Sequence, residues 1–275
     1  MTPEPYKTIQ ARPSHDTIIK PGELIDVVEM TPLTLQDRKI WNLLIAHAWD
    51  RIGEPVQHVI PKADLRGSHE SNDRLGDSIE RLMSAILRVR IKRRDERRGK
   101  DIEQTLRVQL LAPNYEDVVP DGMFRYRFSE EMRVVIVNSE TFGRLRRDIM
   151  LHLSSKYALA LYEMVQKRGN MIYQSAQTFT LDEIRSYLGV EPGKLEGFRN
   201  LNAWALKPAV AEVNALGDYW VSIEPVKKGR AVEAITLAWA RKTPDELKEA
   251  FQELRRHSAG RKARITGAKE DATAP

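Results

Sequence analysis

Polar and apolar positions along this chain follow two periods, and the switches between them mark its elements. In "TLQDRKIWNLLIAHAWDRIG" (34–53), Leu35, Ile40, Leu43, Leu44, Ala48 and Ile52 share one helical face, with Thr34 as N-cap and Gly53 as the stop. A strand, "VQHVIP", and a brief helix, "KADLRG", lead to a second periodic segment over 72–88. There Leu75, Ile79, Leu82, Met83 and Ile86 form the apolar face. Arg74, Arg81 and Arg88 recur at every seventh position on the other side, with Asp77 and Ser84 between them. The period then becomes two, which predicts strands near 88–94 and 103–111 joined by a basic turn at Gly99. "FRYRF" (124–128) reads as another strand, followed by a short helix capped by Ser129.

The same order returns from about residue 151. "SSKYALALYEMVQKRG" is an amphipathic helix on Ala158, Leu161, Tyr162 and Val165, with Ser154 or Ser155 as N-cap. A strand "QTFT" precedes a short helix opened by a capping box of Thr180 and Glu183. A long helix is predicted over 197–216, with Phe198, Leu201, Ala205, Ala209, Val213 and Leu216 on its core face and Val210 also in the core. Asn200, Ala203, Trp204 and Lys207 project on the other side, with Arg199 on the flank, and Asn202 falls near the apolar face as a buried amide. Pro208 predicts a bend over 204–208, or a break that makes it the first turn of a second segment. The segment "DYWVSIEPVKKGRAVEAITLAWARK" is a hairpin with a "KKGR" turn, and "TPDELKEAFQELRRHS" is a capped helix.

Three helices followed by a β-hairpin, twice over, predict an α+β chain of two tandem winged-helix domains. The expected divisions are a flexible N-terminal arm at 1–32, which holds five prolines, a first domain at 33–150 and a second at 151–242. A C-terminal helix and a disordered tail fill 243–275.

Charge sharpens this picture. The 275 residues carry 44 Lys and Arg against 39 Asp and Glu, so the net charge of +5 matters through where the bases cluster. A winged helix sets its second helix of the helix-turn-helix into the major groove. The candidate reading residues are therefore Arg74, Asp77, Arg81 and Arg88 in the first half, and Arg199, Asn200, Ala203, Trp204 and Lys207 in the second. Arg and Asn have the donor geometry that suits guanine and adenine edges. Arg93, Arg94, Arg97, Arg98 and Lys100 in one wing, and Lys227, Lys228 and Arg230 in the other, are placed for phosphates. Two such heads span about two duplex turns, about 20 bp. Arginines on an outer helix face also suit a merely solvated surface, and Trp204 suits a protein-facing surface as well as a DNA-facing one.

Catalytic patterns are missing from the sequence. With 0 cysteines there is no thiolate nucleophile, disulfide or Cys-based zinc site. No GxxxxGK[ST] or HExxH occurs, nor a His-apolar-His pair, and no Asp-x-Asp pair occurs. No enzymatic activity, metal or cofactor is expected. The N-terminus lacks the apolar core of a signal peptide and no apolar run reaches membrane-spanning length, so a cytoplasmic protein without a membrane partner is expected.

"PLTLQDRKIWNLLI" (32–45), "NDRLGDSIERLM" (72–83), "LSSKYALALYEMV" (153–165), "FTLDEIRSYLGV" (179–190), "FRNLNAWALKPAVAEVN" (198–214) and "VKKGRAVEAITLAW" (226–239) resemble the plasmid replication initiator (Rep) family of RepA/RepB type. The resemblance covers about residues 30–242. It implies two winged-helix domains, the second making the main sequence-specific contacts with iterons, the direct repeats of a plasmid origin. The first would add DNA contacts and carry a dimer interface. It further implies a bacterial, plasmid-associated protein whose monomers open an adjacent A·T-rich region with the host initiator DnaA and recruit the replicative helicase. Homodimers, in equilibrium with those monomers, would repress the rep promoter or pair origins. Where family members carry a more basic run before the Leu-x-Pro, this chain has "FRNLNAWAL", which implies a repeat sequence of its own. A winged-helix repressor without a replication role needs the same helices.

Overall fold

A computed structural model describes residues 6–66, 72–95, 97, 99–119, 122–169, 173–257 and 260–267, without the side chains of residues 72–74, 92–94, 262, 266 and 267. The chain divides into two compact units, Met1–Arg144 and Leu145–Pro275.

The first unit runs β1 (Thr17–Pro21), β2 (Val28–Glu29), α1 (Leu35–Ala48), β3 (His58–Pro61), α2 (Lys62–Arg66) and α3 (Asn72–Ser84). A hairpin of β4 (Ile86–Asp95) and β5 (Lys100–Gln109) follows, then β6 (Tyr115–Glu116), β7 (Met123–Tyr126) and α4 (Glu130–Asn138), and β8 (Phe142–Arg146) spans the division. α1 starts where expected because Thr34 and Asp37 cap each other: the Asp37 N–H donates to the Thr34 hydroxyl at 3.2 Å, and the Thr34 N–H donates to the Asp37 carboxylate at 2.8 Å. Such a cap contributes about 1 kcal/mol. Ile40, Leu44 and Ile45 of α1 are buried, as are Leu75, Ile79 and Leu82 of α3, and the two helices pack together. At about 1.5–3 kcal/mol for each large apolar side chain, this pair anchors the unit.

Two expectations need correction here. Residues 6–29 are not an irregular arm: Ile18, Ile19, Leu24 and Ile25 are buried, β1 packs on α1, and the Trp49 indole donates to the Ala11 carbonyl at 3.0 Å. Apolar residues between the prolines supply that burial. α3 ends at Ser84, whose hydroxyl donates to the Glu80 and Arg81 carbonyls at 3.0 and 3.2 Å, a back-bond that competes with helix continuation. Ile86 and Arg88 therefore lie on β4, both exposed, rather than on the helix.

The hairpin β4–β5 is joined on its other side by β2, all antiparallel. A buried ion pair ties that edge to α1, with the Arg38 guanidinium 2.8 Å from the Glu29 carboxylate. β3, β7 and β6 form a second antiparallel sheet, so β3 does not join the wing.

The second unit contains α5 (Arg147–His152), α6 (Lys156–Arg168), β9 (Ala176–Thr180) and α7 (Leu181–Leu188), then a long helix in three parts. These are α8 (Phe198–Leu201), a π-helical turn at Asn202–Leu206 and α9 (Lys207–Leu216). β10 (Tyr219–Lys228), β11 (Ala231–Arg241), α10 (Pro244–Arg255) and α11 (Arg261–Gly267) complete it. Ser155 caps α6, Thr180 caps α7 and Thr243 caps α10, the last two through capping boxes with Glu183 and Glu246. Ala158, Leu161, Tyr162 and Val165 of α6 are all buried and the helix packs on α9. Here β9 does join the wing, giving the antiparallel order β10–β11–β9. α11 corrects the expectation of disorder at its residues: buried Arg261 donates to the Leu254 and Arg256 carbonyls at 3.1 and 2.9 Å, satisfying the C-terminal end of α10.

Candidate nucleic-acid interface

The helix over 198–216 is the element on which the chemistry of the second unit converges. In an α-helix the Pro208 ring would crowd the carbonyl of Trp204 and the missing N–H would leave a gap. The chain resolves this with a turn one residue wider. The Lys207 N–H donates to the carbonyl of Asn202, five residues back, and Pro208 falls in the first turn of α9. Leu206 and Lys207 keep right-handed helical backbone, so the helix runs on without a break, while Pro208 takes the first turn of a second segment, α9, as one of the two expected outcomes had it. The wide turn also places Leu206 beside Ala205 in the core, while Phe198 and Val210, expected there, are half-buried. Asn202 is half-buried as well.

Arg199, Asn200, Ala203, Trp204 and Lys207 are all exposed, as the sequence pattern predicts, and Trp204 keeps 72% of its surface open. The start of this helix is set by Arg185 of α7. Its Nε donates to the Leu195 carbonyl at 3.3 Å, another nitrogen reaches the Glu196 carbonyl, and Nη1 pairs with Asp182 at 3.2 Å. Leu195 is held at φ 50°, a left-handed conformation that costs a branched residue about 1 kcal/mol or more. Arg185 therefore clamps a strained loop directly before the helix over 198–216.

The far end of the helix grips the wing. The Asn214 amide donates to the Val221 carbonyl at 2.9 Å and accepts from the Val221 N–H at 2.7 Å. Lys242, directly after β11, donates to the Asn214 carbonyl and lies 4.8 Å from the centre of the Trp220 ring. Burial pushes the Lys242 ammonium down to about 8 despite the nearby Asp218, Glu246 and Glu249. Glu212 fixes the helix to the start of α6 by accepting from the Ser154 N–H at 2.7 Å. Arg185 and Lys242 were not singled out from the sequence, and Glu212 and Asn214 entered only as part of the stretch "FRNLNAWALKPAVAEVN" that carries the family resemblance, with no contact assigned to them. The signal available was a polar residue at 212 and at 214 within an otherwise apolar helix end.

At the wing tip, Gly229 takes φ +63° and forms the turn with Arg230, since Lys228 and Ala231 are register partners. Lys227, Lys228 and Arg230 are exposed, and Lys228 Nζ stands 3.6 Å from Glu233. This leaves three cations at the end of a hairpin whose base is fixed to the helix by Asn214 and Lys242.

The first unit is built differently. Arg81 does not face outward: it donates to both carboxylate oxygens of buried Asp37 at 2.9 Å. Burial would raise the Asp37 carboxyl, yet hydrogen bonds from Arg81, the Thr34 backbone, Ser78 and the Thr34 hydroxyl hold it below its usual value. Among the described side chains, the exposed ones on α3 include Asp77, Glu80 and Ser84 and no base. Arg88 is exposed on β4. In the wing, Arg97 and Lys100 are exposed and Gly99, at φ +62°, makes the turn with its N–H on the Asp95 carbonyl at 2.8 Å. Arg93 and Arg94 lie on β4, but their side chains, that of Arg74 and the whole of Arg98 lie outside the described residues. The register sets Arg94 opposite Asp101 and Asp95 opposite Lys100, so acids alternate with bases along this hairpin.

Residues 17–166 match the model of the initiator replication protein family's first winged-helix domain, WH1, and residues 180–239 match that of the initiator Rep protein's second, WH2. The chain belongs to the plasmid replication initiator (Rep) family. Its two tandem winged helices are the WH1 and WH2 of that family, and the WH1 match begins at the first residue of β1, inside the stretch expected to be an arm. A solved structure of the Pi initiator protein in complex with iteron DNA is 17% identical, with a TM-score of 0.56 over 82% of this chain and 98% of that one, which shows a shared fold. Two structures of domains 2 and 3 of RctB also match. One is 12% identical with a TM-score of 0.45 over 76% of this chain and 82% of that chain. The other is 13% identical with a TM-score of 0.44 over 87% and 98%. Comparison with curated protein sequences gives no match.

Among the described residues of this Rep-family chain, no group of three or more His, Asp or Glu could hold a metal ion, and no helix is long and apolar enough to cross a membrane.

Proposed function

We propose that this Rep-family chain initiates plasmid replication by binding double-stranded direct repeats at an origin, with its second winged helix reading sequence. One observation carries the reading. Arg199, Asn200, Ala203, Trp204 and Lys207 are exposed together on one helix, and Asn214 ties that helix to a hairpin ending in Lys227, Lys228 and Arg230. Donors suited to base edges sit on the helix and cations suited to phosphates sit on the wing. The iteron DNA bound by the Pi initiator protein, which shares the fold, supports the same class of partner.

The first winged helix plays a supporting part. Its wing cations Arg97 and Lys100, with Arg88 on β4, reach phosphates, and Arg93, Arg94, Arg98 and Arg74 add to them. Asp77 disfavours phosphate, and Arg81 is committed to Asp37. No catalytic step or cofactor is assigned. Opening of an A·T-rich region with host DnaA, recruitment of the replicative helicase, and promoter repression by a homodimer in equilibrium with monomers complete the proposal. These steps place it in the bacterial cytoplasm, on the plasmid.

A plasmid carrying the gene and its flanking DNA, with no other origin, tests this in a bacterial host. Replication that stops when the flanking repeats are scrambled supports the proposal. Promoter repression without replication would leave a winged-helix repressor instead.

A further inference from the structure

Trp204 is the one large apolar side chain among the exposed reading residues, and the fold does not use it. The indole keeps 72% of its surface open, while Leu201, Ala205 and Leu206 around it in sequence are buried. It sits within the π-helical turn Asn202–Leu206, so it is held on a rigid, well-anchored helix and not on a loop. Asn200 lies one helical turn before it and Lys207 one turn after it, both exposed. Asn214 and Glu212 fix the rear of the same helix to β10 and to the start of α6. An apolar ring left in water beside an amide and a cation suits a surface that is mostly polar with one apolar point. The major groove offers that combination, because thymine alone carries a methyl group there.

Resting on the proposed reading of this helix, we infer that Trp204 is a specificity-determining residue that packs on a thymine 5-methyl group in the bound repeat. Asn200 and Lys207 then report on the neighbouring base edges, and the repeat carries a fixed thymine opposite the centre of the helix. The π turn contributes by seating Pro208 without a break, so the indole and the rear anchor move as one body.

The test starts from a randomised duplex pool from which the full-length protein enriches its own binding sequence. In the enriched duplex each thymine is replaced in turn by deoxyuridine, which keeps base pairing and removes only the methyl group. Wild-type affinity is expected to fall about fourfold at one position, the value of burying one carbon group. Trp204→Ala is expected to bind the parent duplex more weakly and to be indifferent to that same substitution. Its unfolding midpoint in urea, read alongside, is expected to match wild type, which separates lost recognition from lost folding. Methyl sensitivity that persists in Trp204→Ala overturns the inference, as does its absence at every position in wild type. Failure of the pool to yield any preferred sequence would overturn the reading of the helix itself, and this inference with it.

Discussion

Arg81 of α3 donates both Nε and Nη2 to the buried carboxylate of Asp37 on α1, each at 2.9 Å. This fork joins the candidate reading helix of the first unit to its own scaffold. Arg81→Ala would leave the Asp37 carboxylate with fewer partners away from water, at a cost of about 2 kcal/mol in unfolding free energy by urea titration. Affinity for repeat DNA is expected to stay unchanged. Lost affinity without lost stability would return Arg81 to the DNA surface.

The same carboxylate gives a pH prediction. Asp37 is held below its usual value in the folded chain, so its contribution is present above about pH 4 and is lost as pH falls through the folded value. Asp37→Asn is therefore expected to be less stable than wild type at neutral pH, and the gap is expected to close in strong acid.

His58 acts in a different window. It is buried against Tyr126 and Phe128 with Nε2 unbonded, and burial, with His47 and Arg51 nearby, pushes it down from 6.5 to about 4, against Glu54. The unfolded chain takes up a proton that the folded one excludes, so stability is expected to fall as pH drops from 6.5 towards 4. The loss amounts to at most about 3 kcal/mol. His47 is lowered by burial too and adds to the slope. His58→Phe is expected to flatten the part due to His58 in urea titrations across that range.

Asn214 bonds both backbone groups of Val221 and thereby fixes the wing to the helix over 198–216. Asn214→Asp keeps the acceptor for the Val221 N–H but sets a carboxylate against the Val221 carbonyl. A stability loss of about 1–3 kcal/mol is expected, with a larger drop in affinity for repeat duplex than for unselected duplex. An equal drop for both would place Asn214 in general stability alone.

At the wing tip, Lys228 is exposed and 3.6 Å from Glu233. Lys228→Ala is expected to weaken binding to all duplexes alike and to reduce the slope of log affinity against log salt by about 1. A change confined to the preferred sequence would make Lys228 a base reader.

Much of this architecture was legible in local sequence. α1, α6, α7 and α10 each begin at a hydroxyl side chain that accepts from a backbone N–H three residues on, and both wings turn at a glycine with positive φ. The five outward positions of helix 198–216 followed from its period alone. What local sequence could not carry were long-range polar choices. The seven-residue spacing of Arg74, Arg81 and Arg88 suggests one outward stripe. Yet Asp37, 44 residues upstream, captures Arg81, and the Ser84 back-bond ends the helix before Arg88. Prolines at 13 and 21 suggested an arm, while Ile18 and Ile19 between them are buried in the core. Pro208 was legible as the first turn of a second segment, but the π turn that leads into it was not, because an α-helical period has no place for a wide turn.

Nuclease footprinting on the DNA that flanks the gene compares wild type with Arg199→Ala and Arg81→Ala at one salt concentration. Protection by wild type and by Arg81→Ala over each direct repeat, about two duplex turns long, and its loss with Arg199→Ala, is the expected result. Protection that is uniform along the DNA, or that survives Arg199→Ala and vanishes with Arg81→Ala, would contradict reading by the second winged helix.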